Sequence, residues 1–224
     1  VVCDTILEDG KITKFRNKED WYNKIDALAA QGLRILAFAY KEADNIPEKE
    51  HLTKGLVFLG VIGFLDPARQ DVEATIKIYK KAGIKVVMAT GDHPKTAQKI
   101  AQDVGLFAHN ASSENVLTGT DLKSIKDADE ATIKRLLDVS VFARVTPEQK
   151  LDLVTFHQKN GNIVGMIGDG INDVPALKKA DIGIAMGIRG TEAAREVADV
   201  ILKNDKFTAI ELAIRQGRVV LQNI

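Results

Sequence analysis

Two carboxylates, Asp169 and Asp173, stand four residues apart in MIGDGINDVPALKKADIGIAMG (166–187), around a turn bracketed by Gly168 and Gly170. An apolar run leads into Asp169, so the acid falls at a strand end, where an unpartnered carboxylate costs desolvation. Glycine on either side lets the backbone approach a ligand closely. Such a pair suits Mg²⁺, which takes one or two carboxylates and keeps places for water and phosphate oxygens. The plainer alternative leaves Asp169 in solvent and has Asp173 cap the turn. Thr90, Gly91 and Asp92 form a second turn, between a strand and a helix. A hydroxyl followed by free amides there can hold a phosphate with neutral donors; an ordinary capped turn uses the same residues. Lys150 falls on the first turn of a helix that Pro147 opens. A cation in that place opposes the helix dipole, which implies an anionic neighbour; the alternative is a surface lysine. Arg34 sits beside the apolar run of GLRILAFAY, and arginine suits bidentate phosphate contacts as well as structural ion pairs. Asp66 and Arg69, in DPAR, follow a strand end and fit plain turn chemistry equally well.

A repeated strand–helix pattern must position these groups. GLVFLGVIGF (55–64) is short and β-branched and reads as a buried strand. The stretch 71–83 has helical apolar spacing and stops at Gly83. IKVVMA (84–89), VFA (141–143), NIVGMI (162–167), IGIAM (182–186) and ADVILK (198–203) read as strands. Helical stretches fall after most of them, the last from about residue 206 to 223. This alternation predicts an α/β fold, a parallel sheet with helices on both faces. Ligands of such sheets bind beyond the carboxyl ends of the strands, where both Thr90-Gly91-Asp92 and Gly168-Asp169-Gly170 fall. The stretch 108–119 reads as a polar loop, and LKSIKDADEATIKRLLD after it as a partly helical insertion.

Residues 1–54 read as a separate, smaller α+β lobe. VVCDTIL and KITKF make a hairpin across Asp9-Gly10, a strong two-residue turn signal. A helix follows over about 18–31, then the strand LRILAFAY. The lobe looks too small to close its own core. Lys+Arg and Asp+Glu balance at 31 each, so no net field draws the chain to nucleic acid or to an acidic membrane. One cysteine excludes an internal disulfide framework and suits a reducing cytosol. The four histidines have no metal-ligand spacing, and no apolar run reaches the roughly 18 residues of a membrane helix. The opening residues have no basic leader, and with no initiator Met the chain is expected to be a piece of something longer.

DPAR, ATGD, FARVTPEQK and GDGINDVPALKKADIGIAMG, in that order, resemble the cytoplasmic part of P-type cation-pumping ATPases, which share the haloacid dehalogenase-like phosphotransferase fold. The resemblance covers nearly the whole chain. GLRILAFAY is similar to the end of the nucleotide-binding domain, and the stretch from Phe64 on to the phosphorylation domain, giving domains 1–54 and 55–224. IRGTEAAREVADVIL and GRVVLQNI look most like the type II pumps, the calcium and sodium/potassium transporters.

The resemblance implies ATP and Mg²⁺ as cofactors. It implies that Thr90 and Gly91 contact the transferring phosphoryl group, and that Asp92 helps position the nucleotide. Lys150 neutralises phosphoryl charge, Asp169 binds Mg²⁺, and Asn172 and Asp173 complete the shell around metal and phosphate. Arg34 contacts the nucleotide phosphates, and Asp66, Arg69 and Arg144 lie along the nucleotide path. It also implies partners within one pump: an upstream phosphorylation strand, an actuator domain and membrane helices. The chain would then be a cytoplasmic domain of an integral membrane protein, touching the membrane only through those helices.

The family's nucleophile lies in an Asp-Lys-Thr-Gly-Thr motif that does not occur here; VVCDTIL lacks its Lys and Gly. The expectation is that the nucleophile lies upstream of this sequence and that the chain alone is inactive. In the family that strand lies between those ending at Thr90 and at Asp169, so an empty slot is expected to close, by an outside strand, a second copy or a shifted pairing. Two other readings stay open: a soluble haloacid dehalogenase-type phosphatase, and a non-catalytic module that binds nucleotide and Mg²⁺.

Overall fold

The computed structural model describes residues 2–43, 51–107, 115–122, 125 and 128–223. The chain divides into two compact units, Val1–Pro67 and Ala68–Ile224.

In the first unit, β1 (Thr5–Glu8) and β2 (Lys11–Lys14) pair antiparallel. Asp9 and Gly10 turn between them with φ of 48° and 76°, the doubly positive turn that matches the twist of a tight hairpin. α1 (Lys18–Ala30) ends before Gly32, and β3 (Arg34–Tyr40) pairs antiparallel with β4 (Val57–Phe64). β4 also pairs parallel with β1, giving the order β2-β1-β4-β3. β4 therefore belongs to the first unit, and the boundary expected after residue 54 moves to Pro67/Ala68. The sequence read 55–64 as the first strand of the following domain; cross-strand pairing, which a single strand cannot reveal, assigns it here. The core of the unit is Cys3, Ile6, Phe15 and Phe58, with Phe15 stacked on Phe58 at 5.0 Å and Trp21 edge-on to Phe58 at 4.9 Å. The sheet face carrying Leu36, Phe38, Ile62 and Phe64 is exposed, so β4 is half-bare rather than buried.

The second unit alternates helices and parallel strands. α2 (Gln70–Lys81), β5 (Met88–Ala89), α3 (Pro94–Asp103), β6 (Val116–Thr118), α4 (Glu130–Asp138), β7 (Val141–Ala143) and α5 (Pro147–Lys159) come first. β8 (Gly165–Gly168), α6 (Val174–Lys179), β9 (Ile182–Met186), α7 (Glu192–Val197), β10 (Val200–Leu202) and α8 (Thr208–Gln222) follow. All pairings in this unit are parallel, in two three-stranded sheets ordered β5-β7-β6 and β10-β9-β8. β7 is wholly buried and shows the two-residue period of a sheet covered on both faces. Phe142 points into a cluster with Leu136, Leu153 and Phe156 of α4 and α5, while Val141 and Ala143 point into one with Ile76, Ala97 and Ala101 of α2 and α3. The stretch read as a polar loop contains β6, and α4 covers the sheet instead of forming an insertion; residues 108–114 lie outside the described ones. None of the described helices is long and apolar enough to cross a membrane.

Of the three routes of closure expected for the slot, a shifted pairing of its two flanking strands does not occur among the described residues. Among the described residues β5 pairs with β7 alone and β8 with β9 alone, so each ends its sheet. The run 84–89 forms ladder bonds only at its last two residues. The cost that argues against a gap applies to buried backbone groups. Here Met88, Ala89, Met166 and Ile167 are only half-buried and Gly165 is exposed, in contrast to β7, so an open edge costs less than it would inside a covered sheet.

His157, on α5, packs edge-on to the Phe156 ring at 5.6 Å, and its buried Nε2 has no hydrogen-bond partner among the described residues. Burial first, and the Lys85 charge second, hold its pKa below the ordinary value of 6.5. The folded protein therefore favours neutral imidazole, and the unfolded chain binds the extra proton below about pH 6.5, so that stability is full above this pH and is lost as pH falls through it. Asp181 and Asp205, held low mainly by the N–H groups of Val164 and Ile188, titrate below this window. Thermal melts between pH 7.5 and 5.5 should show a falling Tm, and His157→Phe should remove most of that fall. An equal fall in the variant would assign it to other groups.

Candidate functional site at the strand ends

Lys150 reaches its place through local rules alone. Thr146 caps α5, accepting the Gln149 N–H at 3.3 Å while the Gln149 side chain accepts the Thr146 N–H at 2.9 Å. This reciprocal capping box and Pro147 at the first helical position fix where the helix starts. Gln149 Nε2 also donates to the Gly119 carbonyl at 2.6 Å, tying the exit of β6 to the same helix end. From there the Lys150 ammonium lies 2.6 Å from Asp173 Oδ1, with the two side chains only 15% and 9% exposed.

Asp173 is the anion that the position of Lys150 implies. Its Oδ2 accepts the N–H groups of Asp169, at 3.3 Å, and Gly170, at 3.2 Å. The carboxylate therefore joins the lysine to the turn after β8. Gly168 makes room for it: a Cβ there would lie 2.6 Å from Asp173 Cβ. Asp169 itself is exposed, and its carboxylate has no hydrogen bond or ion pair among the described residues. Asn172 is exposed in the one-turn 3₁₀ segment 171–173.

The Thr90 turn is pinned to the exit of β7. Thr90 and Val145 exchange one backbone bond at 3.1 Å, and the Arg144 N–H donates to the Asp92 carbonyl at 3.1 Å. Thr90 Oγ1 accepts the Asp92 N–H at 3.1 Å and donates to Asp92 Oδ2 at 3.0 Å. The amide of Asp92, expected to be free, is thus engaged by its own turn. Gly91 is exposed at the tip. Arg144 holds φ at 50°, an uncommon backbone state for a residue with a side chain, and its own side chain is exposed.

Lys150, Asp173 and the Asp169–Gly170 turn come together, and Thr90, Asp92 and Arg144 share backbone bonds. Arg69 is elsewhere: its guanidinium donates to the Asp205 carbonyl at 2.5 Å and pairs with Asp71 at 3.3 Å. Arg34 and Asp66 are exposed in the first unit. No group of three or more His, Cys, Asp or Glu side chains is arranged to hold a metal among the described residues. The Asp169 carboxylate keeps its oxygens free of the other described residues, which fits a cation that takes most of its ligands from water and phosphate. Gln149 and Asp205 were not among the expected residues: Thr146-x-x-Gln149 is the local capping-box pattern that could have marked the first, whereas the partners of Asp205 lie far along the chain and its only local sign is the turn-forming pair Asn204-Asp205.

These features define an α/β protein with a lysine-paired acid at the carboxyl ends of parallel strands. A family model described as haloacid dehalogenase-like hydrolase matches residues 7–181, and a second of the same description matches 150–214. The chain belongs to the haloacid dehalogenase-like hydrolases. Over 99% of its length it is 41% identical to "Calcium-transporting ATPase 1" of Bacillus cereus and 44% identical to a cation-transporting ATPase of Synechocystis, each across 226 aligned positions. It is 37% identical to a sodium/potassium-transporting ATPase alpha subunit of Hydra vulgaris, across 261 positions. The chain spans about a quarter of the length of these relatives, 25%, 24% and 25% respectively.

Gly168→Ala should displace Asp173 and cost about 1–3 kcal/mol, the usual range for overpacking. Gly170→Ala, whose Cβ would meet Asp173 Oδ2 at an ordinary 3.7 Å, should stay within about 0.5 kcal/mol of wild type. Chemical denaturation of the two variants checks this; equal costs would contradict the close approach.

Proposed function

We propose that this chain is the cytoplasmic part of an ATP-driven cation pump of the P-type, nearest in kind to the calcium pumps, which works through an aspartyl phosphate formed on a residue outside these 224 positions. The reading rests on one observation above others: a largely buried Lys150–Asp173 pair next to an Asp169 carboxylate that has no partner among the described residues, at a parallel strand end. The near end-to-end similarity to calcium- and cation-transporting ATPases supports it, and the alignment is shorter with these than with the sodium/potassium subunit, 226 positions against 261.

Phosphoryl transfer is mostly positioning and charge stabilisation. Asp169 would hold Mg²⁺, which when bound supplies positive charge to the phosphate oxygens. Asp173 would contribute chiefly through its hydrogen bonds: its oxygens hold Lys150 and the turn amides, which presets the ammonium where phosphoryl charge develops. Thr90 and Gly91 orient the phosphoryl group by hydroxyl and amide, with Asp92 holding the Thr90 rotamer, and Asn172 adds a polar contact. Arg34 would bind nucleotide phosphates, with Asp66 and Arg144 along the nucleotide path. Arg69 is left out of that path because Asp205 and Asp71 occupy its guanidinium.

Labelling with γ-³²P-ATP and Mg²⁺ tests the reading. The full-length gene product should give an acid-stable, hydroxylamine-labile label, lost in Lys150→Met, and the 224-residue chain should give none. Within the chain, Asp169→Asn should weaken Mg²⁺ binding by about tenfold or more without lowering Tm, whereas Asp173→Asn should lower Tm. Label mapped to Asp4, or turnover of p-nitrophenyl phosphate by the chain alone, would favour a self-contained phosphatase.

A further inference from the structure

Asp205 is a buried acid that the reaction scheme above leaves unused. It is 4% exposed and holds φ at 54°. Its carboxylate accepts two successive amides of the turn after β9: Ile188 N–H on Oδ1 and Arg189 N–H on Oδ2, each at 3.0 Å. The Arg195 guanidinium holds the same turn by its carbonyls, at Gly187 (3.3 Å) and Gly190. Arg69 in turn donates to the carbonyl of Asp205 at 2.5 Å. Hydrogen bonds to a charged acceptor are about twice as strong as neutral ones, so this turn is held firmly. Those amides, with help from Arg69, also keep the Asp205 carboxyl below the ordinary range, so it stays ionised at neutral pH.

The turn leads directly to the site. The Thr191 N–H, two residues beyond Arg189, donates to the carbonyl of Asp169 at 2.8 Å. Asp169 is therefore held at both ends of its backbone, its N–H by Asp173 and its C=O by the turn that Asp205 organises. Its side chain has no restraint of its own among the described residues, so these two backbone bonds set the position and the Cα–Cβ direction from which the carboxylate extends.

We propose that Asp205 is a positioning residue for Asp169: through the turn 188–191 it fixes the backbone that aims the Asp169 carboxylate, and so sets the affinity of the strand end for Mg²⁺. The proposal rests on the reading of Asp169 as the Mg²⁺ ligand. A purely structural Asp205 would affect stability alone.

The test is a Mg²⁺ titration of the ¹⁵N-labelled 224-residue chain, read from amide signals, for wild type, Asp205→Asn and Asp181→Asn. Asp181 is the control, since it accepts the Val164 N–H at 2.7 Å ahead of β9, so its loss also removes a carboxylate–amide bond. Asp205→Asn should raise the Mg²⁺ Kd by about fivefold or more, within the usual range of coupling between linked sites, and should shift the metal-free signals of Asp169 and Gly170. Asp181→Asn should lower Tm and leave Kd within about twofold. A wild-type Kd in Asp205→Asn overturns the positioning role while leaving the metal reading intact. No Mg²⁺ response at Asp169 in wild type overturns the metal reading and this inference with it. Should Asp205→Asn not fold, hydrogen exchange in wild type decides. Linkage is reciprocal, so Mg²⁺ should slow exchange at Ile188, Arg189 and Thr191, and unchanged rates would overturn the proposal.

Discussion

The carboxylate of Asp173 is the point on which the second unit's strand ends depend. It is nearly out of water, and a buried charge is tolerated only when paired and fully hydrogen-bonded. Its two oxygens are shared between an ammonium from α5 and two amides of the turn after β8. The lysine belongs to the helix that follows β7, and the turn belongs to the strand that begins the other sheet. One side chain therefore couples the exits of two sheets that share no ladder bonds.

That coupling gives the open edges of β5 and β8 a physical meaning. Parallel strands ordinarily sit inside a sheet, bonded on both sides. Among the described residues two such strands end their sheets, at half-buried or exposed positions, and they do not pair with each other. The helices and the Lys150–Asp173 contact hold the strand ends where they are, and the Thr90 turn, fastened to the exit of β7, is fixed independently. The charged groups are thereby preset instead of being assembled by a ligand, as the phosphoryl-transfer role proposed for them would require.

Features written in contiguous residues were legible in the sequence. Asp9-Gly10 encodes its hairpin, Pro147 marks the start of α5, and Gly168-Asp169-Gly170 marks its own turn. The α/β class and the spacing of the candidate residues followed from the same local signals. Features set by partners distant in the chain were not legible. The pairing of β4 with β1 and β3 moved the unit boundary, and a three-residue strand such as β6 is too short to show a period. β5 shortened because only one neighbour supports it. Arg69 in DPAR fits a turn or, by resemblance, the nucleotide path, yet its guanidinium meets the carbonyl of Asp205, 136 residues away. Asp205 itself carried no chemical signature beyond a turn.

The central claim is that Lys150 and Asp173 act as one unit joining the two sheets. A double-mutant cycle of Lys150→Met and Asp173→Asn, read by native-state hydrogen exchange at Phe142 in β7 and Ile167 in β8, tests it most directly. Removing one partner of a buried pair costs about 3–5 kcal/mol, much of it from the charge left alone. Each single substitution should therefore lower protection in both strands, and the double variant should lose about 1.5 kcal/mol or more less than the sum of the two, well beyond the roughly 0.5 kcal/mol scatter of independent sites. Additive losses, or loss confined to one strand, would contradict the account.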